Sequence, residues 1–308
     1  MSSALSALTA EGFSIGIELP LDNDWTAAGG LARQHAGRLP GEPDLEAHAE
    51  LARLADRLGY RALWIRDVPL YDPEFGDAAQ VFEAFSYLGY LAGITERILL
   101  GTAAIVLPLR EPMLTMKSAA TIHQLSKGRL LLGVASGDRP VEYPVFGKSY
   151  DSRSHAFRTQ IGMFRDWGAT KLPAGIRLLP RPAEPLPLLV AGMAQQRPDW
   201  IGEQMDGLLA YPGTPVEHVQ RSALWRSVAG DKPYISFIHL DLLADPNASL
   251  VRHRFGIAAG RRELIKELEA MKAAGVQHIG LHFRRNQRPV AQTMEEIAEY
   301  VLPVFHAK

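Results

Sequence analysis

Residues 98–147 constrain the fold more than any other stretch; they read ILLGTAAIVLPLREPMLTMKSAATIHQLSKGRLLLGVASGDRPVEYPVFG. The apolar run Ile98 to Ala104 is too short for a helix, and Gly101 and Pro108 punctuate it, which makes it a buried strand. Pro108 and Pro112 mark a loop, and Pro112 suits a first helical turn, where its missing N–H costs nothing. Met113 to Leu125 carries apolar residues at helical spacing, and Lys127-Gly128 supplies a cation and a glycine stop. Arg129 to Ala135 is a second buried strand. Strand, loop, helix, glycine and strand form a βαβ unit with parallel strands. Both strands end in small residues, Thr102-Ala103-Ala104 and Ala135-Ser136-Gly137. Ligands of parallel α/β folds sit at these carboxyl ends, so small residues there either admit a flat ligand or let helices pack closely.

The same alternation runs through the chain. Strands are expected at Phe13–Leu19, Arg61–Arg66, Leu188–Ala191, Gly207–Tyr211, Pro233–Leu243 and Val276–Phe283, in addition to the two above. Helices are expected at Leu45–Leu58 (capped by Asp44), Val81–Leu91, Ser152–Trp167, from Pro198, at Pro215–Val228, Arg261–Ala274 and Thr293–Phe305. Two long loops, Asp22 to Pro43 and Ala244 to Gly260, are too long to be idle connections. Trp25 and Arg33 of the first can face a ligand, and Arg252, His253 and Arg254 of the second can form a lid or an exposed basic surface. Gly168 to Pro187, rich in proline, reads as an extended connector or a short hairpin. Gly192-Met193-Ala194-Gln195-Gln196-Arg197-Pro198 joins a strand to a helix N-terminus, which is either an anion site or an ordinary turn.

Composition narrows the function. A length of 308 residues suits one α/β barrel, and the reading is a single domain over 1–308. A net charge of −1 implies no nucleic-acid face. No cysteine is present, so thiol chemistry and cysteine metal sites are excluded, in keeping with a cytoplasmic protein. No run approaches the ~18 apolar residues of a membrane span, and no signal peptide is read. H-E-x-x-H, G-x-S-x-G and G-x-G-x-x-G are all missing, and no metal site is expected. A mouth of small residues with few acid/base groups suits a cofactor that carries the chemistry itself.

GTAAIVLP, then QLSKGR, then VFG, together with LADRLGYRALWIRD, MDGLLAYP and GVQHIGLHF, resemble bacterial luciferase and the wider luciferase-like flavin monooxygenase family over most of the chain. The resemblance implies a TIM (β/α)8 barrel with a flavin at its C-terminal mouth. It implies a non-proline cis peptide at Ala103-Ala104 and cofactor contacts from Ala103, Ala104, Ser136, Gly137, Gly192 and Met193. It also places Asp67 at the mouth, where Glu18, Asp67, Tyr143 and His239 can orient the substrate; Tyr143 can equally pack its loop, and His239 can be a packed core histidine. Where luciferase has a catalytic histidine, a reactive cysteine and a phosphate-contacting arginine, this chain has Val68, Ala135 and Ser136. Arg139 or Arg197 would then balance a phosphate. Reduced FMN from a separate flavin reductase, a small-molecule substrate and a homodimer built on the apolar helix near residues 81–91 follow by the same resemblance. The alternatives are a deazaflavin-dependent hydride-transfer enzyme, a non-catalytic flavin-binding protein, and a barrel that binds no flavin.

Overall fold

The computed structural model describes residues 3–42, 44, 46–75, 82–167 and 169–306. Its strands are β1 (Ser14–Glu18), β2 (Ala62–Ile65), β3 (Leu99–Thr102), β4 (Ile105–Val106), β5 (Leu130–Ala135), β6 (Leu188–Ala191), β7 (Gly207–Leu209), β8 (Tyr234–Leu242), β9 (Val251–His253), β10 (Gly256–Ala259) and β11 (His278–His282). Parallel pairing runs β1-β2-β3-β5-β6-β7-β8-β11, and β11 pairs back onto β1, so eight strands close into a barrel. This is the (β/α)8 architecture that the resemblance implies and with which the strand–helix alternation agrees.

Side chains alternate across each strand and sort into two cores. Ile15, Ile17, Leu63, Leu100, Leu132, Val190, Leu240 and Ile279 face the surrounding helices. Ala62, Trp64, Leu99, Leu131, Leu189, Leu209, Ile235 and Phe237 fill the interior, and Ala4, Leu5 and Leu8 of the helix Ser3–Thr9 plug its lower end. Trp64 and Phe237 meet edge to face at 5.6 Å across the barrel. A Cβ on Gly101 would collide with the Trp64 ring, and one on Gly280 with Phe237. The interior is therefore packed around Trp64 and Phe237.

Several boundaries differ from the sequence reading. Residues 27–35 of the first long loop form a helix, Ala27–His35, whose N-cap Thr26 accepts from Gly29 N. The Asp44-capped helix begins only at His48, because Asp44 accepts from Glu46 N in a tight local turn. The next helix is Ala84–Ile94, with Glu83 as its N-cap; Val81 lies outside the described residues. The connector before β6 holds one 3₁₀ turn, Ala169–Lys171, and no hairpin among the described residues. The second long loop carries β9 and β10, and β10 extends the sheet alongside β8. The closing helix splits into Val290–Tyr300 and Leu302–Phe305, with Pro303 in the first turn of the second piece. Among the described residues, no helix is long and apolar enough to cross a membrane.

Candidate active site

The carboxyl ends of the barrel strands form the mouth. One side is small. The Ala103–Ala104 bond is cis, as the resemblance implies. Ala103, Ala104 and Ala191 are half-buried on top of the interior core, and Ala135 at the end of β5 is half-buried beside them. Gly133 is required below this ledge, because a Cβ there would strike the Thr102 carbonyl oxygen. Thr102 Oγ1 also donates to the Gly133 carbonyl at 2.7 Å.

The opposite side is polar and aromatic. Glu18, His282 and His239 share one register row across β1, β11 and β8. Glu18 is buried and paired with Arg66 at 2.6 Å. The indole of Trp25 lies 5.3 Å from the His239 ring and 5.0 Å from the His282 ring, and the two imidazoles are 4.5 Å apart. Arg284 is buried against Asp22, with Nε 2.9 Å from Oδ1 and Nη2 donating to Oδ2 at 3.1 Å. Its carbonyl accepts from Trp25 N at 3.0 Å, which pins the segment after β1 to the end of β11. Burial is the main cause that lowers the His239 pKa to about 3, and Arg66, Arg285 and His253 add to it. His282 is held well below the ordinary histidine value by burial first, then by His239, Arg66, Arg284 and Arg285. Both rings are therefore neutral near pH 7.

The other candidate residues sort by what their polar atoms already do. Asp67 is saturated: its carboxylate accepts from Val106 N at 3.0 Å and from Arg110 Nε and Nη2 at 2.9 and 2.6 Å. It braces the mouth by joining the end of β2 to Val106 and Arg110. Tyr143 is fully buried and donates its hydroxyl to the Ser136 carbonyl, so it packs the loop and does not line the substrate side. Burial raises its pKa to about 12. Gly137 has φ 83°, and a Cβ there would meet that same hydroxyl. Arg139 reaches across to the loop after β2, over the Phe75 ring at 4.2 Å and donating to the Leu70 carbonyl at 3.3 Å. Arg197 is 80% exposed and pairs with Asp199 at 2.8 Å, at the start of a helix of only seven residues, Pro198–Gln204. At that helix end Arg197 therefore points its charge at Asp199. Gly192 and half-exposed Met193 do reach the mouth side of β6. Arg252 pairs with Glu267 at 2.7 Å instead of arming a lid.

Sequence reasoning missed His282, Asp22 and Glu142. His282 carried a signal, since His278, Gly280 and His282 share the inward face of β11. Glu142 is buried with Oε1 unpartnered, and its pKa rises to about 7. Burial is the main cause; Asp67 and Asp138 add to it, and Arg139 opposes it. No group of three or more metal-ligating side chains occurs among the described residues.

Known proteins share this barrel fold. The F420-dependent secondary alcohol dehydrogenase in complex with an F420-acetone adduct superposes with a TM-score of 0.73 at 18% identity, covering 96% of this chain and 99% of that one. EDTA monooxygenase from Chelativorans sp. BNC1 superposes with a TM-score of 0.72 at 12% identity, covering 95% and 93%. In sequence, a 98-residue segment is 32% identical to the alkanal monooxygenase alpha chain of Photorhabdus laumondii subsp. laumondii, covering 32% of this chain and only 26% of that relative. A longer segment of 181 residues is 25% identical to the F420-dependent glucose-6-phosphate dehydrogenase of Amycolatopsis mediterranei and covers 54% of each. The family described as luciferase-like monooxygenase matches residues 30–291, from the helix over the mouth to the last helix of the barrel. That span takes in β2 through β11, and on it the chain belongs to the luciferase-like monooxygenase family of oxidoreductases.

Proposed function

We propose that the mouth holds a flavin-type cofactor and that the enzyme is a monooxygenase using reduced FMN and O₂ on a small organic substrate. The observation that carries this reading is the asymmetry of the mouth: a ledge of half-buried alanines faces two neutral imidazoles and an indole. The alanines Ala103, Ala104, Ala135 and Ala191 leave the backbone approachable by a flat ring system. Ser136, Gly137, Gly192 and Met193 border the same ledge, and Tyr143 holds the Ser136-Gly137 turn in place. Arg197 is engaged elsewhere, so the charge for a phosphate comes from Arg158, held beside the Gly192–Gln196 turn by Gln196 at 3.0 Å. Bound reduced flavin supplies the electrons for oxygen activation or hydride transfer. The chain's own part is to exclude water with Trp25, hold fixed charge at Glu18–Arg66, and move a proton at His239. A separate reductase supplies the reduced cofactor, and two copies associate through the apolar helix Ala84–Ile94.

A second reading, hydride transfer with a deazaflavin, is favoured by the neutral, unpartnered imidazoles, which can accept a hydroxyl proton from an alcohol without any need for oxygen. Titration with reduced FMN, oxidised FMN and deazaflavin, followed by absorbance and fluorescence, separates the two. Tighter binding of reduced FMN, with substrate-dependent oxygen uptake, is expected. Preference for deazaflavin moves the assignment to hydride transfer, and binding of none of them removes the cofactor reading.

A further inference from the structure

The corner of the mouth around Trp25 holds unspent polar capacity. His239 and His282 are only 6% and 2% exposed, and the Nδ1 atom of each has no hydrogen-bond partner. Leaving such atoms unpaired in a buried place is costly, and native proteins retain them mainly where a ligand completes them. The charged groups around them are unequal. From β1 and the segment after it come Glu18, paired with Arg66 of the β2 end, and Asp22, paired with Arg284. From β8 comes Asp241, whose carboxylate accepts from Gln287 N at 2.9 Å. From β9 comes His253, whose Nδ1 faces the Arg254 carbonyl. From the end of β11 comes Arg285, whose guanidinium lies 5.3 Å from the Trp25 ring and has no carboxylate partner among the described residues. Among the described residues each carboxylate named here is engaged, whereas Arg285 is held only by the Trp25 ring and the two Nδ1 atoms have no partner.

We propose that this corner is the substrate-anion subsite, and that it takes the carboxylate of a small organic acid against Arg285 and the His239–His282 pair. The proposal rests on the mouth being the catalytic site and names the substrate class that site would take. Arg285 supplies the charge, Trp25 supplies the wall, and an imidazole protonated at Nδ1 donates to the bound carboxylate. Burial is the main cause that keeps the imidazoles neutral, and the nearby cations add to it; an arriving anion offsets the cations' part, so carboxylate binding is coupled to proton uptake.

The test uses the cofactor-free full chain, with benzoate as probe and benzamide as its neutral isostere. Histidine imidazole signals are followed by nitrogen–proton correlation spectra and affinity by tryptophan fluorescence. Benzoate is expected to move one imidazole of the pair toward the imidazolium pattern and to bind up to about tenfold more tightly for each pH unit lowered between pH 8 and 6, the slope for uptake of one proton. Arg285→Gln is expected to weaken benzoate at least tenfold, and His239→Asn to flatten the pH dependence. Equal binding of benzamide, no benzoate binding, or unchanged imidazole signals at saturation overturns the proposal. FMN binding is measured in parallel. Flavin binding without a benzoate response overturns the subsite alone, whereas a benzoate response without flavin binding supports the subsite and overturns the cofactor reading.

Discussion

Gly133 shows how one missing methyl group sets the mouth. It lies on β5 where the Thr102 carbonyl leans in, and the Thr102 hydroxyl bonds its carbonyl from the other side. An alanine has no free direction in which to relax, since the obstacle is backbone. Gly133→Ala is expected to cost about 3 kcal/mol, the upper range for overpacking a well-filled site. Urea denaturation reads this directly, and an unchanged midpoint would show that the β3 end can move aside. Residue identity made Gly133 visible in the sequence but did not reveal why it is glycine. Asp67 and Tyr143 illustrate the converse: their chemistry pointed to catalysis, yet Arg110, Val106 and Ser136 consume their polar atoms. The only evidence that a side chain is spent is its partner, and those partners lie on other segments.

At the scale of elements, local signals located most strands and helices, and failures have local causes. Gly29-Gly30 argued against a helix over residues 27–35 because glycine is a poor helix former. Packing overrode propensity there, since a Cβ on Gly29 would collide with the Asn23 carbonyl oxygen. Stops were easier to read: Gly59 and Gly275 both follow helices with positive φ, 86° and 92°. The join between the helix His48–Leu58 and β3 depends on one side chain. Asp56 accepts from the backbone N–H groups of Glu96, Arg97 and Ile98, at 2.6, 3.1 and 2.8 Å. Asp56→Ala leaves three amides without that acceptor, of which the Ile98 amide is buried. A loss of about 2 kcal/mol is expected, because a charge-assisted bond to a buried donor is costly to remove. Thermal unfolding checks it, and a shift in Tm of less than 2 °C would mean that water replaces the carboxylate.

At the scale of the whole molecule, the barrel is tied at its lower end by a directed chain of hydrogen bonds. Trp64 Nε1 donates to His278 Nε2 at 2.9 Å, His278 Nδ1 lies 2.7 Å from Ser14 Oγ, and Ser14 donates to the Leu8 carbonyl. The chain links β2, β11, β1 and the helix Ser3–Thr9, and it requires a neutral His278. Burial holds the pKa of His278 well below the ordinary value; His282 is similar, and His48, His218 and His239 fall to about 4, 4 and 3. Below about pH 6.5 the unfolded chain takes up protons that the folded chain refuses, so stability falls as pH falls. Each of these histidines is expected to remove about 1.4 kcal/mol between pH 8 and pH 5.5. The urea midpoint should therefore drop over that range, and His278→Gln should be less stable at pH 8 but show a shallower drop. A pH-independent midpoint would contradict buried neutral histidines. Periodicity and glycine stops were enough to determine the strand–helix alternation, and the combined motifs GTAAIVLP, QLSKGR, VFG, LADRLGYRALWIRD, MDGLLAYP and GVQHIGLHF carried the family, with it the eight-fold barrel and its mouth. All of these are local properties, written within a few residues of where they act. Only the tertiary structure decided that Trp25, His239 and His282 meet, because closure of β11 onto both β1 and β8 joins residues from opposite ends of the chain. It also decided which charges are spent, because burial and pairing depend on neighbours that the linear order does not specify.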